Sequence, residues 1–447
     1  MRLEMRMPMA GDTIFALSTG ALPCGVAVIR LSGSSVQDVL RAVCGTLPSP
    51  RVAALKSIRD RDGQTIDRGL VLFFPGPASF TGEDCAEFHV HGSRAVVASL
   101  LSRLSDEANC RMAEAGEFSR RAFENGKLDL VEIEGLADLL AAETEMQRRQ
   151  AMQQADGKAT ALYNGWRERL IYCRAMIEAD LDFSDEGDIP GSVAPIVWKE
   201  LSALRQSIHE ASLDERRGEI IRDGFNVVIA GRPNAGKSSL LNALAGRDVA
   251  IVTHYAGTTR DILQCDIDLE GYVVRLYDTA GIRETEEEVE QEGIRRALRK
   301  IEEADLVLLL EDLSSERADS AKGFVSVPYL SIGTKADLIE AETQSDRFDL
   351  MLSSQRASDI ESLRTLLLKT IRNRIGSGES IIPSRQRHIQ CLRQALDYID
   401  SALDSRFGLE IRADYLRLAS DSLGRLIGRV DTETLLGKIF SEFCVGK

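Results

Sequence analysis

The spacing of hydrophobic and polar positions divides the first half of the chain into two parts. Residues 12–125 alternate short apolar runs, at 26–31, 70–74 and 87–90, with Gly/Pro turns and helix-like stretches, which is typical of an α+β domain. From 128 to about 220, apolar residues recur at spacings of three and four, which predicts helices. Their buried face is predicted to be formed by Tyr163, Trp166, Leu170, Cys173, Ile177 and Leu181.

The second half returns from a mixed pattern to a helical one. Residues 222–375 alternate strand-like and helix-like stretches, as in a doubly wound parallel sheet. After the Gly-Ser-Gly of 376–378, a helical face reappears at Leu416, Ala419, Leu423, Leu426 and Val430. Neither helical segment, 128–221 or 376–447, is expected to bury its apolar face by itself. We therefore expect an α+β domain (1–127) and one helical domain (128–221 with 376–447) into which 222–375 are inserted; four consecutive domains are the alternative.

The strongest chemical signal is the sequence G-R-P-N-A-G-K-S-S at 231–239, which fits the phosphate-binding pattern G-x-x-x-x-G-K-[ST]. A strand-like run (225–230) precedes it and a helix-like run (239–245) follows, so backbone N–H groups and a helix N-terminus would face an anion. Lys237 would reach the β- and γ-phosphates, and the Ser238 hydroxyl would ligate Mg²⁺. A chance match in a Gly-rich turn is the alternative. The pattern predicts nucleotide binding by Asn234, Ala235, Gly236, Lys237, Ser238 and Ser239.

Two downstream segments follow in the order of a Ras-like GTPase. Residues 251–261 are expected to form a switch loop in which one threonine hydroxyl meets Mg²⁺ once a γ-phosphate is present. The strand 273–277 leads into D-T-A-G, where the aspartate acts on the metal through water and the glycine N–H meets the γ-phosphate. The predicted ligands are Thr253, Thr258, Thr259, Asp278, Thr279, Ala280 and Gly281.

The base is predicted from T-K-A-D at 334–337, which follows the apolar run 327–332. The Asp337 carboxylate can accept hydrogen bonds from N1–H and the exocyclic amino group of guanine, a pair of donors that adenine lacks. Thr334 stands where GTPases usually have asparagine; because it is shorter and lacks the amide, we expect a weaker tie to the base or to the phosphate loop. The predicted base site comprises Thr334, Lys335, Asp337, Ser353, Ser354 and Gln355.

One position departs from the Ras pattern. Ile282 follows the glycine of D-T-A-G, where Ras-type enzymes have a glutamine that orients the attacking water. An apolar side chain cannot position water, so hydrolysis needs another group or another source of charge. An acidic run lies just downstream at 284–292; it is alternatively a solvated first helical turn, which the helix dipole would favour.

Composition indicates a globular protein without special targeting. Of the 447 residues 44% are hydrophobic and 28% charged, and the longest apolar runs, such as 306–310, are far shorter than the ~18 residues of a membrane span. The eight cysteines include no C-x-x-C pair, and residues 1–10 lack a signal-peptide core, so we expect a reduced, cytoplasmic setting. The net charge of −15 requires any nucleic-acid contact to be local or shared with a partner. The basic cluster Arg385, Arg387 and His388 is expected on a solvated helix face.

Both ends of the chain add further motifs: D-T-I at 12–14, I-R-L-S-G at 29–33, S-F-T-G-E-D at 79–84, G-E-F-S-R-R-A-F-E-N-G-K at 116–127 and F-C-V-G-K at 443–447. With the GTPase motifs, they resemble the MnmE (TrmE) family of tRNA-modification GTPases over essentially the whole chain. The resemblance implies a multidomain α/β fold. Its parts are a tetrahydrofolate-binding-like α+β domain that forms a homodimer, a helical domain, and an inserted Ras-like P-loop GTPase domain.

The same resemblance implies metal ligands and a catalytic group. K⁺ between the β- and γ-phosphates would stabilise charge that an arginine finger otherwise meets. The implied K⁺ ligands are Asn234, Thr253, Tyr255 and Thr258, and the Mg²⁺ ligands are Ser238 and Thr259. Glu290 would position the attacking water. Asn234 alternatively only stabilises a turn, and Glu290 only lies on a wet helix.

The family also implies a reduced folate, 5-formyltetrahydrofolate, bound by Arg30, Glu87, Lys127 and Lys447. Two cations suit the glutamyl carboxylates, and the Glu87 carboxylate suits the donor edge of the pterin. Residues 19–25 replace the family's Gly-rich stretch, so the loop near the folate differs here. Cys444 lies in the terminal motif and is either a reactive group of the modification centre or a small buried hydrophobe.

The implied activity is K⁺- and Mg²⁺-dependent GTP hydrolysis that drives a carboxymethylaminomethyl-type modification of the tRNA wobble uridine. An FAD-dependent partner resembling MnmG, in a heterotetramer, would share the reaction. Two other functions are alternatives. A ribosome-assembly GTPase of the Era or Der type would lack the folate-like domain and the Cys-bearing tail, and a folate-binding scaffold with a vestigial GTPase would not need intact Lys237, Ser238, Thr259, Asp278 and Asp337.

Overall fold

A computed structural model of the chain describes residues 11–182, 194–213, 215–246, 263–278, 299–315, 327–339, 347–375, 383–429 and 446. The chain divides into two compact units. The first contains residues 1–137, 154–168 and 420–447, and the second contains residues 138–153 and 169–419.

The first unit contains a six-stranded sheet whose neighbouring strands are antiparallel, except for the parallel pair at one edge. The strands are β1 (Thr13–Leu17), β2 (Cys24–Ser32), β3 (Ala54–Arg59), β4 (Thr65–Phe74), β5 (Cys85–Gly92) and β6 (Cys110–Met112). Their order is β3-β4-β5-β2-β1-β6. Three helices accompany them: α1 (Val36–Cys44), α2 (Arg94–Ser105) and α3 (Glu117–Glu124). The predicted α+β character of this region is confirmed.

Strand alternation gives this sheet one covered face and one face, here called the open face, that is exposed at β3 and β4 but covered at β1, where Ile14 and Ala16 pack against Phe118 of α3. Ile29 of β2 and Phe88 of β5 belong to the core cluster that α1 and α2 also join. The opposite face exposes large apolar side chains, and Val26, Leu55 and Leu70 are 55%, 57% and 42% accessible to solvent. The open face therefore combines apolar side chains with the polar residues that alternate with the core positions.

The helices after this sheet bury the faces that the spacing predicts. They are α4 (Leu130–Ala141), α5 (Glu145–Ala155), α6 (Lys158–Asp182), α7 (Ala194–Leu213), α8 (Glu215–Asp223), α11 (Gln386–Leu403) and α12 (Leu409–Leu426). In α6, the predicted residues from Tyr163 to Ile177 are at most 3% exposed, whereas the predicted Leu181, one residue before the helix ends, is only partly buried. In α12 the predicted Leu416, Ala419, Leu423 and Leu426 are inaccessible. Val430 lies outside the described residues.

The predicted solvated face at the start of α11 is wrong. His388 is inaccessible to solvent, and Arg385 is mostly buried with its Nη2 atom 2.7 Å from Asp138 Oδ1. The carboxylate of Asp138, far away in sequence, supplies the counter-charge that allows the arginine to be buried. The basic cluster in the sequence could not show that Arg385 pairs with Asp138.

The second unit contains the predicted doubly wound sheet. Its strands are β7 (Phe225–Gly231), β8 (Leu263–Leu269), β9 (Tyr272–Asp278), β10 (Leu306–Asp312), β11 (Tyr329–Thr334) and β12 (Leu350–Met351), in the order β12-β11-β10-β7-β9-β8. All neighbours are parallel except β8 and β9. Helices α9 (Lys237–Ala245) and α10 (Ala357–Ile375) contribute to the core on one face. Parallel strands direct their carboxyl ends to one edge, where ligands bind in such folds.

Among the described helices, none combines the length and the hydropathy that crossing a bilayer requires.

Candidate functional site

The phosphate loop connects the central strand β7 to α9. Asn234 and Gly236 have positive φ angles of 64° and 86°, and Lys237 begins the helix. Left-handed residues separated by one position turn successive N–H groups to the same side, which makes a concave anion site at the helix N-terminus. Gly231 leaves no room for a side chain, because a Cβ there would lie 2.6 Å from the Leu310 carbonyl oxygen. The loop thus has the geometry that its sequence predicts.

Lys237 is held beneath this loop. Its side chain is buried, and Nζ donates hydrogen bonds of 2.8 Å to the carbonyl oxygens of Gly231 and Arg232. The ammonium group therefore lies at the loop, where it can stabilise phosphate charge.

Two predicted Mg²⁺-site residues meet at the ends of neighbouring strands. Ser238 Oγ donates to Asp278 Oδ2 at 2.7 Å, and Asp278 is inaccessible to solvent at the end of β9. Parallel pairing of β7 with β9 brings these distant segments to one edge. A hydroxyl beside a carboxylate is a hard-oxygen donor set that fits Mg²⁺.

Thr334 ends β11 and reaches the phosphate loop. Its Oγ1 lies 2.9 Å from the Ala235 carbonyl oxygen and 3.1 Å from that of Glu311, and the residue is 3% exposed. We expected Thr334 to weaken a contact either with the base or with the phosphate loop. The hydrogen bond to the loop is present, so the weakened contact is the one with the base. A threonine at this position still joins the base-binding turn to the phosphate-binding loop.

A cavity of about 230 Å³ brings the predicted base-site residues together. It is lined by Gly236, Ser239, Leu240, Thr334, Lys335, Asp337, Leu338, Leu352, Ser353, Ser354 and Gln355. A hydrogen bond from Ser353 holds the pKa of the Asp337 carboxyl below its ordinary value. Asp337 is therefore ionised at neutral pH and available as a double acceptor. The loop carrying Ser353 is fixed in turn, because its backbone N–H donates to Asp359 Oδ2 at 2.9 Å.

The sequence did not reveal every residue around this cavity. Lys335 is paired with Asp312 at the end of β10, the register partner of Thr334. Burial alone would raise the pKa of Asp312, but hydrogen bonds from Lys335 and Ser314 lower it overall. The apolar walls Leu240, Leu338 and Leu352 were also missed. Asp312 carried a usable signal, since it ends a strand at the ligand-binding edge.

Several predicted residues lie outside the described part of the chain. They are Thr253, Tyr255, Thr258, Thr259, Thr279, Ala280, Gly281, Glu290, Cys444 and Lys447. Asn234 is therefore the one member of the implied K⁺ set that the structure describes, and it is exposed on the phosphate loop.

In the first unit, Arg30 and Glu87 are directly opposite on β2 and β5. Arg30 Nη2 lies 3.1 Å from Glu87 Oε1, and His89 Nε2 lies 3.2 Å from the other carboxylate oxygen. The Arg30 guanidinium also lies 5.3 Å from the centre of the Phe80 ring. The two predicted folate residues thus form a contacting donor–acceptor pair on the open face of the sheet.

A short loop connects this pair to Lys127. Phe80 in the loop contacts Arg30, and a Cβ on Gly82 two residues later would lie 3.2 Å from Lys127 Cγ. Glu83 fixes the loop by accepting hydrogen bonds from Ser32 Oγ at 2.7 Å and Arg121 Nη1 at 3.0 Å. Lys127 itself is exposed.

Gly446, the one residue of the C-terminal motif that the structure describes, lies against the end of β1. Ser18 Oγ donates a 2.9 Å hydrogen bond to the Gly446 carbonyl oxygen. Gly446 has a φ of +102°, and a Cβ on it would lie 2.3 Å from the Leu17 carbonyl oxygen. This contact requires glycine and was not evident from the sequence.

We expect Gly446→Ala to release the chain end from β1, because the added methyl group cannot fit against Leu17. Hydrogen exchange should become faster at residues 17–19, with no change in the GTP hydrolysis rate. Gly126→Ala is the matched control, since Gly126 has a φ of +63° but no atom within 4 Å of a Cβ. It isolates backbone strain from the clash. Equal exchange in both variants would contradict the anchoring role.

The chain is similar to known proteins over nearly its whole length. A family profile described as "GTP-binding protein TrmE N-terminus" matches residues 13–127, and one described as "MnmE helical domain" matches residues 130–444. The tRNA modification GTPase MnmE of Agrobacterium fabrum is 55% identical over 443 residues, covering 99% of this chain and 100% of that protein.

The protein of the same name from Rhizobium etli is 55% identical over 444 residues, with coverage of 99% and 100%. Among solved structures, Era of Aquifex aeolicus bound to GDP and AlF₄⁻ is 24% identical with a TM-score of 0.26, covering 39% of this chain and 66% of that one. The full-length identities and the matched domains decide the assignment. The chain belongs to the MnmE family of tRNA modification GTPases.

Proposed function

We propose that the protein is a K⁺-dependent GTP hydrolase that drives a carboxymethylaminomethyl-type modification of the tRNA wobble uridine together with an FAD-dependent partner resembling MnmG. The proposal refines the tRNA modification GTPase activity of the family. One observation carries the GTP-dependent part: Lys237, the Ser238–Asp278 pair and the cavity with Asp337 all lie along one edge of one sheet.

In this proposal a lysine and two metal ions neutralise the negative charge of the phosphates. Lys237 contacts the β- and γ-phosphates, and Ser238 and Asp278, with Thr259, would hold Mg²⁺. Asn234, Thr253, Tyr255 and Thr258 would hold K⁺. A bound cation supplies the charge that an arginine finger provides elsewhere. Glu290 positions the attacking water in place of the glutamine that Ile282 replaces. GTP hydrolysis as fast in Na⁺ as in K⁺ would remove the K⁺ role.

We further propose a reduced folate, 5-formyltetrahydrofolate, on the open sheet face of the first unit. The contact of Arg30 with Glu87 favours placing both at the pterin, where a donor beside an acceptor matches the 4-oxo and N–H groups of the ring. This revises the expectation that Arg30 meets the glutamyl carboxylates, which Lys127 and Lys447 would bind instead. Absence of reduced-folate binding by the purified protein would eliminate this site.

The proposed protein is a cytoplasmic homodimer with an inserted GTPase domain. The apolar residues Val26, Leu55 and Leu70 on the open sheet face suit a protein interface. Helix α7, before residues 222–375, packs on α11, which follows them, and this packing supports one helical domain of 128–221 and 376–447 around the insertion. A monomeric mass at micromolar concentration would contradict the dimer.

The whole proposal is tested by nucleoside analysis of tRNA from cells that lack this protein. We expect the modified wobble uridine to disappear and to return when the wild-type chain is supplied. Cys444→Ser and Lys237→Ala are then compared in the same cells. Loss of modification with GTP hydrolysis retained in Cys444→Ser would place the cysteine in the modification centre. Normal wobble uridines without the protein would overturn the assignment.

A further inference from the structure

The base cavity has a definite polarity if guanine binds with its N1–H and amino group on Asp337, as the proposed function requires. The ribose leaves the base from N9, on the five-membered ring, and must reach the phosphates at 231–239. The five-membered ring therefore faces the phosphate loop. Thr334 lies at this end of the cavity, because it contacts the Ala235 carbonyl oxygen of the phosphate loop. A Cβ on Gly236 would also lie 3.8 Å from the Cβ of Thr334.

The hydroxyl proton of Thr334 is already used inside the protein. A hydroxyl has one proton to donate. Both acceptors near Thr334 Oγ1, at 2.9 and 3.1 Å, are carbonyl oxygens of the chain, and the residue is almost completely buried. Turning this proton toward the base would break its hydrogen bond to a carbonyl oxygen of the chain, which is unfavourable. The oxygen then presents only lone pairs to a ring nitrogen that is itself an acceptor.

Three other donors of this turn also have partners within the protein. Lys335 Nζ is paired with Asp312. The backbone N–H of Ala336 donates to the Leu352 carbonyl at 3.2 Å, and that of Leu338 donates to the Lys335 carbonyl at 3.0 Å. An asparagine at 334 would differ, because its amide carries two N–H groups and could serve the loop and the base at once.

We propose that Thr334 determines an unusual specificity, because it leaves N7 of the bound guanine without a hydrogen bond. Guanine nucleotides altered at N7 should therefore bind as well as GDP itself. The chemical class is 7-deazaguanine nucleotides, in which a C–H group replaces N7. The inference rests on the proposed placement of guanine on Asp337.

The test measures displacement of a fluorescent GDP analogue from the full-length protein by GDP, 7-deaza-GDP and ADP. For the wild type we expect GDP and 7-deaza-GDP to have dissociation constants within about twofold of each other. In Thr334→Asn we expect 7-deaza-GDP to bind about fivefold more weakly than GDP, the size of one net hydrogen bond. Thr334→Val should weaken the binding of both ligands equally, because it removes only the hydrogen bond to the loop. Thr334→Ser keeps the hydroxyl and should bind both ligands as the wild type does.

A fivefold loss for 7-deaza-GDP in the wild type would overturn the proposal. Equal binding of the two ligands in Thr334→Asn would overturn the role of this position, since N7 would then not be recognised there by any donor. ADP separates these results from failure of the base site itself. If ADP competes as well as GDP, the placement of guanine on Asp337 is wrong, whatever the ratio of the two guanine ligands.

Discussion

Lys237→Ala is expected to lower the rate of GTP hydrolysis by about 10²- to 10³-fold, the usual effect of removing one group that stabilises developing charge in a closed site. The buried Nζ of Lys237 lies within hydrogen-bond distance of two loop carbonyls, so its charge is located at the phosphate loop before nucleotide binds. An alanine supplies neither this charge nor the support for Gly231 and Arg232. Single-turnover hydrolysis of bound GTP measures the chemical step apart from weaker binding.

The matched control is Arg232→Ala, which removes a cation from the same loop. Arg232 is exposed, so solvent screens its charge, and its backbone carbonyl remains for Lys237 to contact. We expect less than about a threefold change in rate, as for an exposed charge whose contribution is small. A comparable loss in both variants would mean that loop charge in general, and not the position of Lys237, supports hydrolysis.

The fold could be predicted well because apolar periodicity reports burial directly. The runs at 26–31, 70–74 and 87–90 are strands, and the stripe along α6 is buried. Burial of the α11 N-terminus could not be predicted in this way. Arg385 is a buried cation only because Asp138 lies against it, and their pairing depends on contacts between residues far apart in sequence.

The phosphate and base motifs were predictable because each has a fixed local spacing. Their mutual contacts were not. The Thr334 hydroxyl could have tied either the base or the phosphate loop, and only the register of β11 beside β10 places it on Ala235. The contact of Gly446 with Leu17 also depends on packing between residues far apart in sequence, so the residues around Gly446 do not indicate it.

Asp337→Asn is expected to weaken GDP binding by about 10²- to 10³-fold and to create binding of xanthine nucleotides. The carboxylate can accept from N1–H and the amino group of guanine, and hydrogen bonds to a charged group contribute roughly 1.5–3 kcal/mol each. An amide offers one acceptor and one donor, which matches N1–H and the 2-oxo group of xanthine. Displacement of fluorescent GDP by GDP and XDP measures both changes.

The control for this change is Asp312→Asn, which removes a nearby carboxylate that pairs with Lys335 instead of lining the cavity. We expect a small loss for GDP and no gain for XDP. In the wild type, titration of Asp337 should cause no loss of GDP affinity between pH 8 and about 5. The hydrogen bond from Ser353 lowers the pKa of Asp337, so the carboxylate persists below the ordinary carboxyl range and guanine binding is lost only as the pH falls through that lowered value. If Asp337→Asn shows no shift of preference toward xanthine nucleotides, Asp337 does not select the base.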